Sequence, residues 1–292
     1  MKIIDGKGLA NQLKDELRIA TDKLAADGHR RPHLAAILVG NNPASESYVR
    51  NKVRSCDQAG YNSTLIRRPM DVSEVDLLQV IDEMNKNTEI DGFIVQLPLP
   101  KHIDEQKVLL AINPKKDVDG FHPMNFGKMA QGLDAFLPAT PYGILLMLEH
   151  YGIETSGKEV VVIGRSNIVG TPMSILLSRK AKLGNSTVTL VHSRTKDIKA
   201  HTLNADIIIA AIGIPKFLKP DMVKSGASII DVGINRVEDA SRKSGYRLVG
   251  DADYEGLTSK VEFMTPVPGG VGPMTVLGLM KNTMKAYLEK NN

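Results

Sequence analysis

The stretch VVIGRSNIVGTP, Val161 to Pro172, narrows the possible folds of this 292-residue chain more than any other. It reads as a buried strand, a tight glycine turn and the start of a helix. That is the arrangement that cradles a dinucleotide pyrophosphate. Gly164 ends the strand, and Gly170 lies on the helix, where a small residue permits close packing on the sheet. The middle glycine of a G-x-G-x-x-G pattern is absent, and Ser166 stands in its place. Backbone N–H groups at the helix start can face phosphate. Arg165 and Ser166 can reach anionic oxygens directly. For these residues alone, a plain strand–helix turn without a ligand is the alternative.

The end of the next strand narrows the reading. An NAD site carries Asp or Glu there to bind the ribose hydroxyl. Here His192, Ser193, Arg194 and Thr195 follow the strand TVTLV. A carboxylate would repel a 2′-phosphate, whereas an arginine and hydroxyls favour one, so the expected cofactor is NADP. A solvated loop charge is the other reading of Arg194. Two further apolar runs end at Gly213 and Gly233, and glycines at strand ends leave a crevice open to the backbone. Asp231 reads first as a strand-end cap.

Helical and apolar segments alternate throughout. Residues 8–27, 44–59 and 75–85 have helical spacing, and 33–40, 62–67 and 91–100 read as strands. Residues 113–141 are rich in Pro, Gly and Asn and are expected as a long functional loop. YGILLMLEHYGI follows as a helix. A second series has strands at 160–163, 187–191, 207–210 and 229–232. The final segment, VGPMTVLGLMKNTMKAYLEK, is a helix beyond the nucleotide domain that is expected to return to the first one. Alternation of this kind indicates parallel sheets, and the length suits two α/β domains, the second Rossmann-like. A net charge of +4 is too mild to imply nucleic acid. One cysteine, Cys56, forms no internal disulfide, and no Cys/His cluster suggests a metal. The N-terminus has no apolar signal core, and no run approaches the ~18 apolar residues of a membrane span. A cytoplasmic protein without membrane contact is expected.

The first half carries other chemistry. Tyr48 and Lys52 are i,i+4 on one helix and share a face. A lysine beside an aromatic ring and apolar walls loses solvation, and its pKa falls toward a useful acid/base value. Taken alone, though, a solvated Lys52 beside a half-buried Tyr48 is the stronger reading. Gln96 interrupts the apolar segment DGFIVQLPLP, either to fix a loop or to touch a ligand. Asp117 and Asp119 flank Gly120 without a calcium-loop pattern, and an Asx turn is the plain alternative. TPVPGGVGPMT reads as a rigid loop that lets a ligand approach the backbone, or as a hinge.

Together these segments resemble the bifunctional methylenetetrahydrofolate dehydrogenase/methenyltetrahydrofolate cyclohydrolase family. The matching pieces are Y-V-x-x-K at 48–52, DGFIVQLPLP, KDVDGFHP, P-x-T-P-x-G at 138–143, GRSNIVGTP, HSRT, DVGIN and TPVPGGVGPMT. They occur in the family order and span nearly the whole chain. The resemblance implies a folate-binding catalytic domain over 1–140 plus 269–292 and an NADP-binding domain over 141–268. It implies one cleft running two steps. Hydride leaves the methylene carbon of 5,10-methylenetetrahydrofolate for NADP, and water then opens the methenyl ring to 10-formyltetrahydrofolate. The oxidised carbon is already electrophilic, so the second step needs proton management, with Lys52 as the candidate base.

By the same resemblance, Gln96 hydrogen-bonds Lys52, Tyr48 stacks on the folate, and Asp119 accepts hydrogen bonds from the pterin. Val95, Leu97, Pro268, Gly269, Gly270, Val271, Gly272, Pro273 and Thr275 would complete the folate site. Gly164, Arg165, Ser166, Ser193 and Ile234 would contact the cofactor, with Arg194 added here for the 2′-phosphate. A homodimer through the nucleotide domain is implied as well. Ala139 stands where the family often has cysteine, which removes a thiol that the expected chemistry does not use. A shikimate-dehydrogenase-like oxidoreductase shares the domain order, but it needs no Lys52 with Gln96 and PGGVGP. A non-catalytic NADP sensor would tolerate loss of Lys52.

Overall fold

The computed structural model describes residues 1–242 and 245–291. Its strands, in chain order, are β1 (Lys2–Ile3), β2 (His33–Val39), β3 (Asn62–Arg68), β4 (Gly92–Val95), β5 (Glu159–Ile163), β6 (Thr187–Val191), β7 (Ile207–Ala210), β8 (Ser228–Asp231), β9 (Asn235–Glu238), β10 (Tyr246–Val249) and β11 (Phe263–Met264). The chain divides into two compact units. Residues 11–139 and 276–292 form one, and residues 1–10 and 140–275 the other.

In the first unit β3, β2 and β4 make a parallel sheet with β2 in the centre. Strands buried on both faces read as continuous apolar runs, and HLAAILV and GFIV do. Helix Glu74–Lys86 puts Leu77, Val80 and Ile81 into the core with Ile37, Phe93 and Val95. Helix Pro43–Ala59 starts on Asn42, whose side chain accepts from the Ala44 and Ser45 N–H groups. It ends on Gly60 in the left-handed conformation at φ 75°.

The second unit holds a six-stranded parallel sheet in the order β1-β11-β8-β7-β5-β6, plus an antiparallel hairpin of β9 and β10. Order rises outward on either side of β5, through β6 and through β7 and β8. That reversal at β5 is where doubly wound sheets bind ligands. Val161, Ile163, Ile208, Ile229 and Met264 pack in its core.

Several elements differ from the sequence reading. The strand expected over 91–100 stops at Val95. Gln96 still donates its N–H to the Ile37 carbonyl, but Pro98 and Pro100 have no N–H to continue a ladder. The segment expected as an irregular loop over 113–141 contains helix Pro123–Ala130, capped by His122 and too short to show a period. The next helix starts at Ala139 and ends at His150, with Pro141 tolerated in its first turn. The hairpin leaves no apolar run to mark it, since β9 exposes Arg236 and Glu238 and β10 exposes Arg247. By contacts, residues 1–10 and 269–275 cluster with the nucleotide-type sheet, where β1 pairs with β11 and the Lys7 N–H bonds the Gly269 carbonyl. Asn292, the last residue of the expected first domain, lies outside the described residues. Among the described residues no helix is long and apolar enough to cross a membrane.

Candidate functional site

Two groups of residues stand out, one in each unit. In the first unit the buried face of helix Pro43–Ala59 carries Ser45, Val49, Lys52, Cys56 and Ala59. Lys52 therefore sits in the middle of an apolar stripe and is only 9% exposed. This overturns the solvated placement that the residues alone favoured. Its ammonium donates to Gln96 Oε1 at 3.2 Å. The other end of that amide donates to the Leu97 carbonyl at 2.8 Å, which fixes the oxygen toward the lysine. Gln96 thus fixes its loop and holds Lys52 at once, just past the C-terminal end of β4.

Burial disfavours the ammonium and pulls the Lys52 pKa below the ordinary lysine value, while the nearby Asp119 charge pulls it partly back. Burial likewise raises Asp119, and Lys52 opposes that rise. A lysine so placed exchanges its proton at a lower pH than an exposed one. Tyr48 stands one turn earlier on the helix and is 42% exposed, so its ring is free at the rim. Cys56, one turn later, has its thiol pushed up to about 12 by burial and is a packing residue.

The two adjacent aspartates separate cleanly. Asp117 accepts from the Phe121 and His122 N–H groups at 3.2 and 2.8 Å and from Asn125 Nδ2 at 2.9 Å, so it builds the loop. Burial raises its carboxyl to about 6. Among the described residues Asp119 has no such hydrogen bonds, and it feels the Lys52 charge. Both line an apolar pocket with Val95, Leu97, Ile112 and Phe121. Val95 also belongs to the core beside β2, where it pairs with Ile37.

In the second unit the turn after β5 is built for close approach. Gly164 has φ +110°, and a Cβ there would lie 2.2 Å from the Ala211 carbonyl oxygen. A Cβ on Gly170 would lie 1.9 Å from the Gly164 carbonyl oxygen. Ser166 Oγ accepts from the Val169 N–H at 3.2 Å and contacts the Gly170 N–H at 3.5 Å. The serine therefore steadies the first helical turn. Arg165 and Arg194 are both exposed and in no ion pair among the described residues, and Ser193 is exposed beside Arg194. His192 and Thr195 close the turn that presents them, through the Thr195 N–H to His192 O bond at 2.8 Å. A glycine turn at a helix start flanked by two unpaired arginines fits a dinucleotide with an extra phosphate.

Ile234 is 45% exposed after β8, and Ile214 is 50% exposed after β7. Ile214 was missed in the sequence, where only an apolar residue following the strand-end Gly213 signalled it. The loop Pro268–Pro273 belongs to this unit. Gly269 has φ +107°, and a Cβ on Gly272 would lie 3.6 Å from the Ile234 side chain. The glycine loop and Ile234 are thus neighbours. Thr275 meets Thr140 at 3.0 Å through their hydroxyls. Asp231 is a cap, as expected, accepting from the Gly233, Asp251 and Ala252 N–H groups at 2.9 Å each. A separate cavity of about 600 Å³ is walled by β10 and Pro266–Pro268, and it includes none of Gly164, Ser166 and Ser193.

Comparison with known proteins covers both units. Residues 4–119 match the catalytic domain of tetrahydrofolate dehydrogenase/cyclohydrolase. Residues 138–291 match the NAD(P)-binding domain of the same enzyme. The chain is 59% identical over 286 residues to the bifunctional protein FolD of Flavobacterium johnsoniae, which covers 98% of this chain and 97% of that one. A crystal structure of the bifunctional FolD dehydrogenase/cyclohydrolase from Campylobacter jejuni is 43% identical, with a TM-score of 0.93 over 99% of each chain. The Trypanosoma brucei FolD structure, complexed with NADP cofactor and inhibitor, is 35% identical with a TM-score of 0.94 over 99% of this chain and 98% of that one.

Proposed function

The chain belongs to the tetrahydrofolate dehydrogenase/cyclohydrolase family, and on that premise we propose that it is a bifunctional, NADP-dependent one-carbon folate enzyme. It oxidises 5,10-methylenetetrahydrofolate to the 5,10-methenyl cation and hydrolyses that to 10-formyltetrahydrofolate. The observation that carries this reading is the buried Lys52 held by Gln96 beside Asp119. A cofactor-binding protein without turnover has no use for a desolvated amine of this kind.

Bound NADP supplies the hydride acceptor. The protein's own residues do the rest. Gly164 and Gly170 let the pyrophosphate approach the turn after β5, and Ser166 steadies the N–H groups there. Arg165, Ser193 and Arg194 hold the phosphates, with Arg194 on the 2′-phosphate, and Ile234 packs on the cofactor. Tyr48 stacks on the folate, and Asp119 accepts from the donor-rich pterin edge. Val95, Gln96 and Leu97 contact the folate, and the family resemblance adds Pro268, Gly269, Gly270, Val271, Gly272, Pro273 and Thr275 to the folate contacts. Water attack on the methenyl carbon and opening of its ring release one proton net. Neutral Lys52 accepts that proton from the attacking water, and Gln96 keeps the amine aimed. The residues 11–139 unit is then the folate-binding catalytic unit and the 140–275 unit the NADP unit. The family resemblance supports a homodimer that works in the cytoplasm.

A spectrophotometric assay tests this. Purified protein with methylenetetrahydrofolate is expected to form NADPH with NADP faster than it forms NADH with NAD, and to consume added methenyl substrate above its spontaneous rate. NADPH formation without faster methenyl loss would leave a dehydrogenase alone. NADP binding without any turnover would leave a sensor.

A further inference from the structure

We propose that Asp251 is a positioning residue for the dinucleotide, tying the chain after β7 to the chain after β8, and that Asp231 in turn holds Asp251. This rests on the reading of the 140–275 unit as the NADP unit. Asp251 is wholly buried. Its Oδ2 accepts from the Ile212 N–H at 2.7 Å and the Gly213 N–H at 2.9 Å. Its Oδ1 accepts from Asn235 Nδ2 at 2.9 Å. One carboxylate therefore joins two strand-end segments that are far apart in sequence. Those segments present Ile214 and Ile234, the exposed apolar residues at the C-terminal ends of the parallel strands. Ligands of doubly wound sheets lie there.

The support beneath Asp251 is equally specific. Asp231 Oδ1 accepts the Asp251 N–H and the Gly233 N–H, and Oδ2 accepts the Ala252 N–H. The Asp231 N–H donates to Thr265 Oγ1 at 2.7 Å, which links the node to the start of the TPVPGG segment. Two glycines make room for it. A Cβ on Gly233 would lie 2.2 Å from Asp251 Oδ1, and a Cβ on Gly250 would lie 1.8 Å from Asp231 Oδ2. Neither carboxylate joins an ion pair among the described residues. Their N–H donors stabilise them, and such charge-assisted bonds are stronger than those of a neutral turn. The arrangement fixes both sides of the crevice before the cofactor arrives, which removes ordering cost from binding.

The test compares Asp251→Ala, Asp251→Asn and Gly250→Ala with the wild type in NADP titration, in methenyl hydrolysis and in melting temperature. Asp251→Ala is expected to weaken NADP by roughly tenfold or more, the scale of a lost charged hydrogen bond. Hydrolysis, which uses Lys52 in the other unit, is expected to fall by clearly less than the cofactor affinity does, since the node reaches the folate-contacting loop only through Thr265. Asp251→Asn is expected to recover most of the affinity, since its Oδ1 still accepts both N–H groups and its Nδ2 donates to Asn235 once that amide turns over. If Asp251→Ala does not fold, Gly250→Ala displaces the Asp231 carboxylate and is expected to show the same cofactor-selective loss. NADP affinity equal to wild type in these variants would overturn the proposal, as would parallel loss of hydrolysis and binding. Absence of NADP binding in the wild type would instead overturn the functional reading beneath it.

Discussion

The two units of this chain use opposite materials for their sites. In the first unit the work falls to side chains: an amine taken out of water, an amide aimed at it and a carboxylate beside it. In the second it falls largely to backbone and to empty space, with glycines whose Cβ atoms would strike carbonyl oxygens and exposed arginines beside them. The difference follows from the chemistry each must serve. Proton transfer needs a group whose protonation can change near working pH, which burial supplies. Holding a dinucleotide needs a fixed concave surface and donors that do not titrate.

That contrast is open to breakage at each end. Lys52→Met should reduce methenyl hydrolysis by roughly 10²–10⁴-fold, the usual range for a lost general base. NADP should bind it as before, and a titration beside the hydrolysis assay checks both. Unchanged hydrolysis would remove Lys52 from its role. Gly170→Ala is the mirror variant. Its new Cβ would stand 1.9 Å from the Gly164 carbonyl oxygen, so the turn must open. NADP binding should weaken on the order of a hundredfold, about 3 kcal/mol, with much smaller change in hydrolysis. Arg194→Ala should have the smallest effect and sharpens the comparison within the second unit. NADP should lose ~1–3 kcal/mol of binding, the worth of a charged hydrogen bond, and NAD much less. Equal losses in paired titrations would mean that Arg194 does not read the 2′-phosphate.

The same contrast governs how much was legible in the sequence. Parallel strands buried on both faces leave continuous apolar runs, so HLAAILV, VVVI and IIIA declare themselves. The glycine turn after β5 is equally visible, because the backbone demands those residues. Helix Pro123–Ala130 is too short to show a period, and β9 and β10 expose alternate charged residues instead of presenting an apolar run. Residues 97–100 look like strand because Leu97 and Leu99 are apolar, yet they pack outside the ladder.

Lys52 is buried where its charge alone suggests solvent. Its burial could have been read from Val49, Cys56 and Ala59, which recur at helical spacing around it and place a lone charge on the apolar face. Asp251 left no such trace. Its partners at 212, 213 and 235 are distant in sequence, and only the fold brings them to one carboxylate.

The measurement that bears most directly on the account is the pH dependence of methenyl hydrolysis, corrected for the spontaneous rate, in the wild type and in Asp119→Asn. Neutral Lys52 is the active form, so the rate should rise with pH through its pKa. Burial lowers that pKa, so the limb should lie below the ordinary lysine value of about 10.4. The Asp119 charge raises it, so removing that charge should move the limb to still lower pH. A limb at the ordinary lysine position, or one that Asp119→Asn leaves in place or moves upward, would contradict the claim that a buried Lys52 amine beside Asp119 does the proton work.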